Sequence, residues 1–421
     1  MWSRRIRNLR IMSQVGTLLF SDGLRKLLGF GFATLLTAGV NFIAVPILIR
    51  HAGADVWAGI AVAQSVAVFA SVIVSFGWGV FGAAWIAGMA RTARGTYFLR
   101  SMSARFWLFL VALPIALMIV RVTSGGNMLG NMLACIAGMI PALGAAWFFV
   151  GESRPGLLVL CDTVPRLAGT VAGAASVVLG ASVAVFSACQ LVGSLIGLLA
   201  SVVCIVRRYS TERAFWLPRA ALRGLREQLG GVVTAGTASL YVSLPLVWVS
   251  ATVPGMAPIY ALSDKLFKAA VSVQATVTQV AQGYVPSGGR SELRARVRRT
   301  LSASAAVSTF MGMTLALGLR PVCRILSGGE LLPSFFVAIG FGIALFAIGL
   351  SGVVGTACLP AFGATRVTAA STVLGALVGV PMIAVLTSVY GIGGTAWAVA
   401  LSEIAVSIYQ LVHLRRKLES V

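Results

Sequence analysis

Residues 183–208 read VAVFSACQLVGSLIGLLASVVCIVRR. No charged side chain occurs between Val183 and Val206, and the run stops on Arg207 and Arg208. About 20 mostly apolar residues suffice for a helix to cross the hydrocarbon of a bilayer. Arginines directly after such a run mark the side on which it ends. This stretch therefore reads as a membrane-crossing helix whose C-terminal end faces the cytoplasm.

Working outward, the pattern recurs near 27–49, 58–86, 104–120, 128–150 and 157–179 before it, and near 230–253, 259–285, 301–319, 335–358, 367–387 and 395–414 after it. The span at 104–120 is short and that at 58–86 long, which predicts a tilt or a break. With 183–206 these make twelve spans. Of the 33 lysines and arginines, 26 fall on one side of them, 4 on the other and 3 inside. The heavy side comprises an N-terminal arm with Arg4, Arg5, Arg7, Arg10, Arg25 and Lys26, the alternate gaps holding Arg91 to Arg105, Arg154, Arg207 to Arg226, Arg290 to Arg299 and Arg366, and the tail with Arg415 to Lys417. The other gaps hold only Arg50, Arg121, Arg320 and Arg324. Basic loops stay inside, so both termini are expected in the cytoplasm, with the chain multi-pass in the membrane.

A mean hydropathy of +0.94 with 58% hydrophobic and 10% charged residues describes a chain solvated mainly by hydrocarbon. The net charge of +22 sits in short loops beside spans, where orientation and anionic headgroups account for it; nucleic acid is not an expected partner. Cys135, Cys161, Cys189, Cys204, Cys323 and Cys358 lie in or beside apolar spans without CxxC spacing and read as small buried hydrophobes. Ile11 to Phe20 after the N-terminal arginines is like the start of a signal peptide, but Ser21, Asp22, Arg25 and Lys26 interrupt it, so a retained cytoplasmic arm is expected.

The connection after 206 is the longest and divides the spans six and six. The expected organisation is all-α: an N-terminal lobe 1–206, a basic cytoplasmic linker 207–229 and a C-terminal lobe 230–421. Secondary transporters commonly pair two such halves around a site near mid-membrane.

Charges inside spans are costly, about 2.5–3.5 kcal/mol each on the insertion scale, and mark functional sites or buried pairs. Asp264, Lys265, Lys268, Ser272, Thr276, Gln279 and Gln282 share one face of span eight. Asp264 and Lys268 at i,i+4 can neutralise each other, but one carboxylate cannot serve two ammonium groups, which favours the wall of a wet cavity. Asp162 and Arg166 are likewise i,i+4, around Pro165; a closed pair and an open cation at mid-depth are both compatible with that spacing. Arg166, Lys265 and Lys268 reach comparable depth from opposite ends. Glu403 stands alone in span twelve as a candidate proton or sodium site, against plain hydrogen bonding to neighbouring helices. Arg50, beside His51, and Arg121 fit either an outward vestibule or a solvated rim. Two histidines, no HExxH, GxSxG or phosphate loop in a supporting context, and no long extramembrane segment leave no room for catalysis, and no resident cofactor is expected.

Several segments are similar to a known family. Asn41-Phe-Ile-Ala-Val-Pro46-Ile-Leu-Ile-Arg50, Gly53, Trp57 and Phe76-Gly77-Trp78-Gly79 to Ala87 resemble the start of O-antigen flippases of the polysaccharide-transporter type (Wzx), in the multidrug/oligosaccharidyl-lipid/polysaccharide (MOP) exporter superfamily. Trp147-Phe148-Phe149-Val150-Gly151-Glu152 resembles the family's W-[FY]-F-x-G-x-E signature with its acid one place early, and Arg166 the arginine that follows it. Ile259-Tyr260-Ala261 to Asp264-Lys265, Pro286, and Tyr390-Gly391-Ile-Gly393-Gly394 leading to Ser402-Glu403 complete the resemblance in order along nearly the whole chain. It implies a MATE-like pair of six-helix lobes that carry a polyprenyl-diphosphate-linked oligosaccharide across the membrane by alternating access, beside membrane lipids and a polysaccharide polymerase. Arg166, Lys265, Lys268 and then Arg50 become the expected headgroup ligands, and Asp162, Asp264 and Glu403 the candidates for proton or sodium coupling. The competing readings are a cation-coupled multidrug antiporter, which should offer a carboxylate chamber; a peptidoglycan-lipid flippase, whose relatives typically have two more spans; and a polytopic glycosyltransferase or ligase, which would need a large extracytoplasmic domain.

Overall fold

A computed structural model describes residues 39–209, 243–285 and 289–419. The N-terminal arm, most of the linker, the starts of spans one and seven, and Pro286 lie outside the described residues. All regular structure among them is helical.

The first half of the chain supplies α1 (Gly39–Ala52), α2 (Ala54–Ser75), α3 (Trp78–Gly88), α4 (Arg91–Thr123), α5 (Met128–Met139), α6 (Ala146–Gly151), α7 (Pro155–Val178) and α8 (Val183–Arg208). The second half supplies α9 (Ser243–Thr252), α10 (Ala257–Tyr284), α11 (Gly289–Ser327), α12 (Phe335–Ala361) and α13 (Thr365–Glu419). Among the described residues, eight helical stretches are long and apolar enough to cross a membrane. α10 has the length, 28 residues, but its polar face with Asp264, Lys265 and Lys268 lowers its hydropathy. Each of the twelve apolar stretches carries helix over its described part.

The long second span breaks where Phe76 and Gly77 adopt positive φ of 43° and 90°, separating α2 from α3. The fourth breaks at Pro141, in a 3₁₀ turn over Ile140–Leu143. α7 and α12 each contain a π turn, Val159–Thr163 and Val354–Cys358, two residues ahead of Pro165 and Pro360. A proline ring collides with the carbonyl four residues earlier, and widening the helix by one residue relieves that collision. In α13 the chain kinks at Gly391 (φ 59°, ψ −141°), a conformation that a β-carbon disfavours, and this divides spans eleven and twelve.

One expectation is corrected here. Arg91, Arg94, Arg100 and Arg105 do not occupy a loop; they lie within α4, and Arg105 is fully buried. Likewise Arg290 to Arg299 belong to α11, and Arg320 and Arg324 to its far end. Helices here run past the hydrocarbon, so apolar length alone underestimates them. The cysteines are free and are buried or half-buried, as read.

α7 packs on α8 so closely that a Cβ at Gly169 would lie 2.4 Å from the Cys189 carbonyl oxygen, and Gly193 faces the same crossing. α11, α12 and α13 pack side by side in the second half, and α2 meets α10 between the halves. The apolar cores are distributed unequally. One cluster joins the halves at the end carrying Arg50 and Arg324, with Leu48, Ile49 and Val120 against Leu246, Val249 and Leu319. At the other end each half keeps its own core, around Phe98, Trp147 and Phe148 in the first and around Val285, Val353 and Leu414 in the second.

Candidate functional site

Where the halves diverge, a cavity of about 430 Å3 opens between α1, α2, α7, α8 and α10. That is a volume suited to a small ligand or headgroup. Arg166 enters it from α7, and Lys265 and Lys268 from α10. A second cavity of about 190 Å3 adjoins it, lined by Asp264 and Ser243, and the two have Gln64, Val68, Lys265 and Lys268 in common. The three intramembrane cations of the sequence thus face one hollow.

Both i,i+4 pairs are formed as well. Arg166 Nη1 lies 3.3 Å from Asp162 Oδ2, with the Arg166 side chain 40% exposed. Lys268 Nζ lies 2.6 Å from Asp264 Oδ2, with the Lys268 side chain 35% exposed against 7% for Asp264. Pairing and access to the cavity are therefore not alternatives: each carboxylate lies buried behind its cation. Lys265 is different. No carboxylate lies within 4.0 Å of its ammonium among the described residues. Among the described residues, two acids against three bases leave one uncompensated positive charge at the cavity. Further along α10, Ser272, Thr276, Gln279 and Gln282 are exposed, so the polar face continues from the cavity to the end at which the halves are apart.

Asp162 sits in the π turn of α7, against the broken fourth span, where a Cβ added at Gly144 would come within 3.8 Å of Asp162 Oδ1. Arg105 fixes that break. Its Nη1 donates to the carbonyls of Ala142 (2.9 Å) and Gly144 (2.8 Å), its Nε to the Ser101 carbonyl and its Nη2 to Ser101 Oγ, while the guanidinium lies 5.4 Å from the Trp147 ring. Glu152, the acid of the aromatic signature, accepts from Arg94 at 3.3 Å and from the Tyr209 hydroxyl, which ties neighbouring ends of α4, α6 and α8 together.

Arg50 and Glu403 lie elsewhere. Arg50 is exposed at the end of α1, outside both cavities, and donates from Nη2 to the Ile325 carbonyl of α11 at 3.4 Å. Nearby Ser250 of α9 donates to the Thr123 carbonyl of α4. These two contacts cross between the halves at the end where their cores merge. Glu403 lines neither cavity; it is half-buried on α13, one turn before Ser407, which donates to the Ala347 carbonyl. The sequence reading missed the neutral side of the cavity, formed by Asn41, Gln64, Thr170, Gln190 and Ser194. Amides within apolar spans were the available signal.

No family model matches the chain, and no curated protein matches it. Among solved structures it is similar to the lipid II flippase MurJ in an inward closed conformation, with a TM-score of 0.69 at 10% identity over 93% of this chain and 89% of that one. It is also similar to the eukaryotic MATE transporter AtDTX14 (TM-score 0.62, 12% identity, 95% and 98% covered). An inward-facing multidrug resistance MATE family transporter of the MOP superfamily gives a TM-score of 0.59 at 12% identity, with 91% and 95% covered. These likenesses show the fold: an all-helical, multi-pass membrane architecture shared by a lipid flippase and by multidrug transporters.

Proposed function

We propose that this chain is a flippase that moves a polyprenyl-diphosphate-linked oligosaccharide, an O-antigen or exopolysaccharide repeat unit, from the inner to the outer leaflet of a bacterial cytoplasmic membrane. The observation that carries the reading is the cavity at which Arg166 of one half meets Lys265 and Lys268 of the other. A sugar diphosphate is too polar to cross hydrocarbon unaided. Ammonium and guanidinium groups can hold its phosphates through charge-assisted hydrogen bonds, while the polyprenyl chain stays in lipid. The likeness to MurJ, by title a lipid II flippase, supports a lipid-linked cargo.

In this reading the two halves are lobes joined through the 207–229 linker, and the end carrying Arg50 and Arg324 is the outer one, held shut. Asp162, Asp264 and Glu403 are the groups proposed to couple transport to protons or sodium, and a polysaccharide polymerase would take the product. The multidrug antiporter reading, which the MATE likenesses share, is less favourable because a cationic drug would meet the unpaired Lys265. The test is Lys265→Ala and Arg166→Ala. Each variant should reach the membrane yet leave lipid-linked glycan in the inner leaflet, inaccessible to an external glycan-modifying enzyme added to spheroplasts. Normal export by both variants would overturn the reading.

A further inference from the structure

The walls of the cavity differ in chemistry. α10 contributes Lys265, Lys268 and Ser272 and α7 contributes Arg166, whereas the polar groups that α2 and α8 contribute are neutral: Gln64, Gln190 and Ser194. Gln64 occupies the junction of the two cavities, together with both lysines. Its amide has no hydrogen-bond partner among the described residues, although it lies within the apolar helix α2 and is only partly exposed. Gln190 Nε2 donates to Thr170 Oγ1 at 3.3 Å, which leaves its Oε1 without a donor among the described residues.

Amide groups in a span are costly unless water or a ligand satisfies them. Neither makes a hydrogen bond between the halves among the described residues. A carboxamide offers a donor and an acceptor side by side. It therefore matches neutral groups that do the same, such as vicinal hydroxyls or an acetamido substituent, and it gains little from a phosphate, which only accepts.

We infer that Gln64 and Gln190 of the first half form a sugar subsite and read the glycosyl unit attached to the diphosphate. The inference rests on the reading of the cavity as a diphosphate-lipid site and adds that the neutral amides supply specificity while the cations hold the charge. With the phosphates held by the cations, the first sugar meets the two amides in the same hollow, so the protein distinguishes a loaded carrier lipid from the bare one.

The experiment measures affinities of the full chain in nanodiscs for two probes, undecaprenyl diphosphate and the same lipid bearing one N-acetylglucosamine. The wild type should prefer the glycosylated probe, and Gln64→Leu should lower that preference about tenfold, the scale of one or two hydrogen bonds. Gln190→Leu should act in the same direction, and Gln64→Asn should retain part of the preference. Lys265→Ala should weaken both probes alike and keep their ratio. Equal affinity of the wild type for the two probes, or an unchanged ratio in both leucine variants, would overturn the sugar subsite while leaving the diphosphate reading intact if Lys265→Ala still weakens both. Indifference of both probes to Lys265→Ala would overturn the underlying reading instead.

Discussion

Asp264 holds Lys268 at 2.6 Å from behind, so the lysine reaches the cavity already carrying its own counter-ion. An incoming anion must compete with that carboxylate for the ammonium, whereas Lys265, one helical position after Asp264, is free of such competition. Replacing the acid by its neutral isostere, Asp264→Asn, should free Lys268 and strengthen binding of inorganic pyrophosphate about fivefold, from a partly exposed pair worth about 1 kcal/mol. Titration calorimetry at low and high salt checks this. Weaker or unchanged binding would mean that the carboxylate positions the lysine rather than competing for it.

The contact from Ser250 to the Thr123 carbonyl predicts a lock. A Thr123→Cys, Ser250→Cys double variant, oxidised with copper phenanthroline, should form a disulfide that fastens the halves together at that end. Glycan export should stop and return after reduction. The wild type with its six free cysteines, treated identically, is the control. Full export by a quantitatively cross-linked protein would mean that this end need not open.

Arg105 satisfies two carbonyls exposed by the break at Pro141. In Arg105→Ala those acceptors lose their donors within a buried site, at a cost of about 2–4 kcal/mol. The variant should melt at a clearly lower temperature in detergent. Arg105→Lys, which keeps the charge but has a single donor head, should fall between the two. A wild-type melting temperature for Arg105→Ala would show that water replaces the guanidinium.

Gly391 adopts φ 59° and ψ −141°, which a β-carbon makes unfavourable. Gly391→Ala should cost about 1–3 kcal/mol, seen as a smaller monodisperse fraction and earlier unfolding on heating. Unaltered stability would mean that the kink relaxes without penalty and that α13 can straighten there.

Apolar length made the helices legible, because a bilayer sets one minimum for every crossing. The i,i+4 spacing of Asp264 with Lys268 and of Asp162 with Arg166 gave the pairs, since both members ride on one helix. Gln64 was not legible as a neighbour of Lys265 at the cavity: the two line one hollow only when α2 is set against α10, and nothing along either helix encodes that meeting. Arg105 was misassigned for a related reason. An arginine at the edge of an apolar run looks like a loop charge, and only the break in a different span, with its unpaired carbonyls, draws it inside. Glu403 illustrates the converse, as an acid conspicuous in the sequence that lies apart from the cavity.

Among the described residues, the apolar core that unites the halves through Leu48, Ile49, Val249 and Leu319 has no equivalent at the opposite end, where Thr276, Gln279 and Gln282 are exposed on α10. Parting the halves at the merged end would expose greasy surface, at about 25 cal/mol for every square ångström wetted. Closing the far end would bring together polar faces that gain little from leaving water. The two arrangements are thus unequal in energy. In the flippase reading proposed above, a bound anion that neutralises the lysines would tilt the balance, and the distribution of oil and water along the protein itself would suppress turnover without cargo.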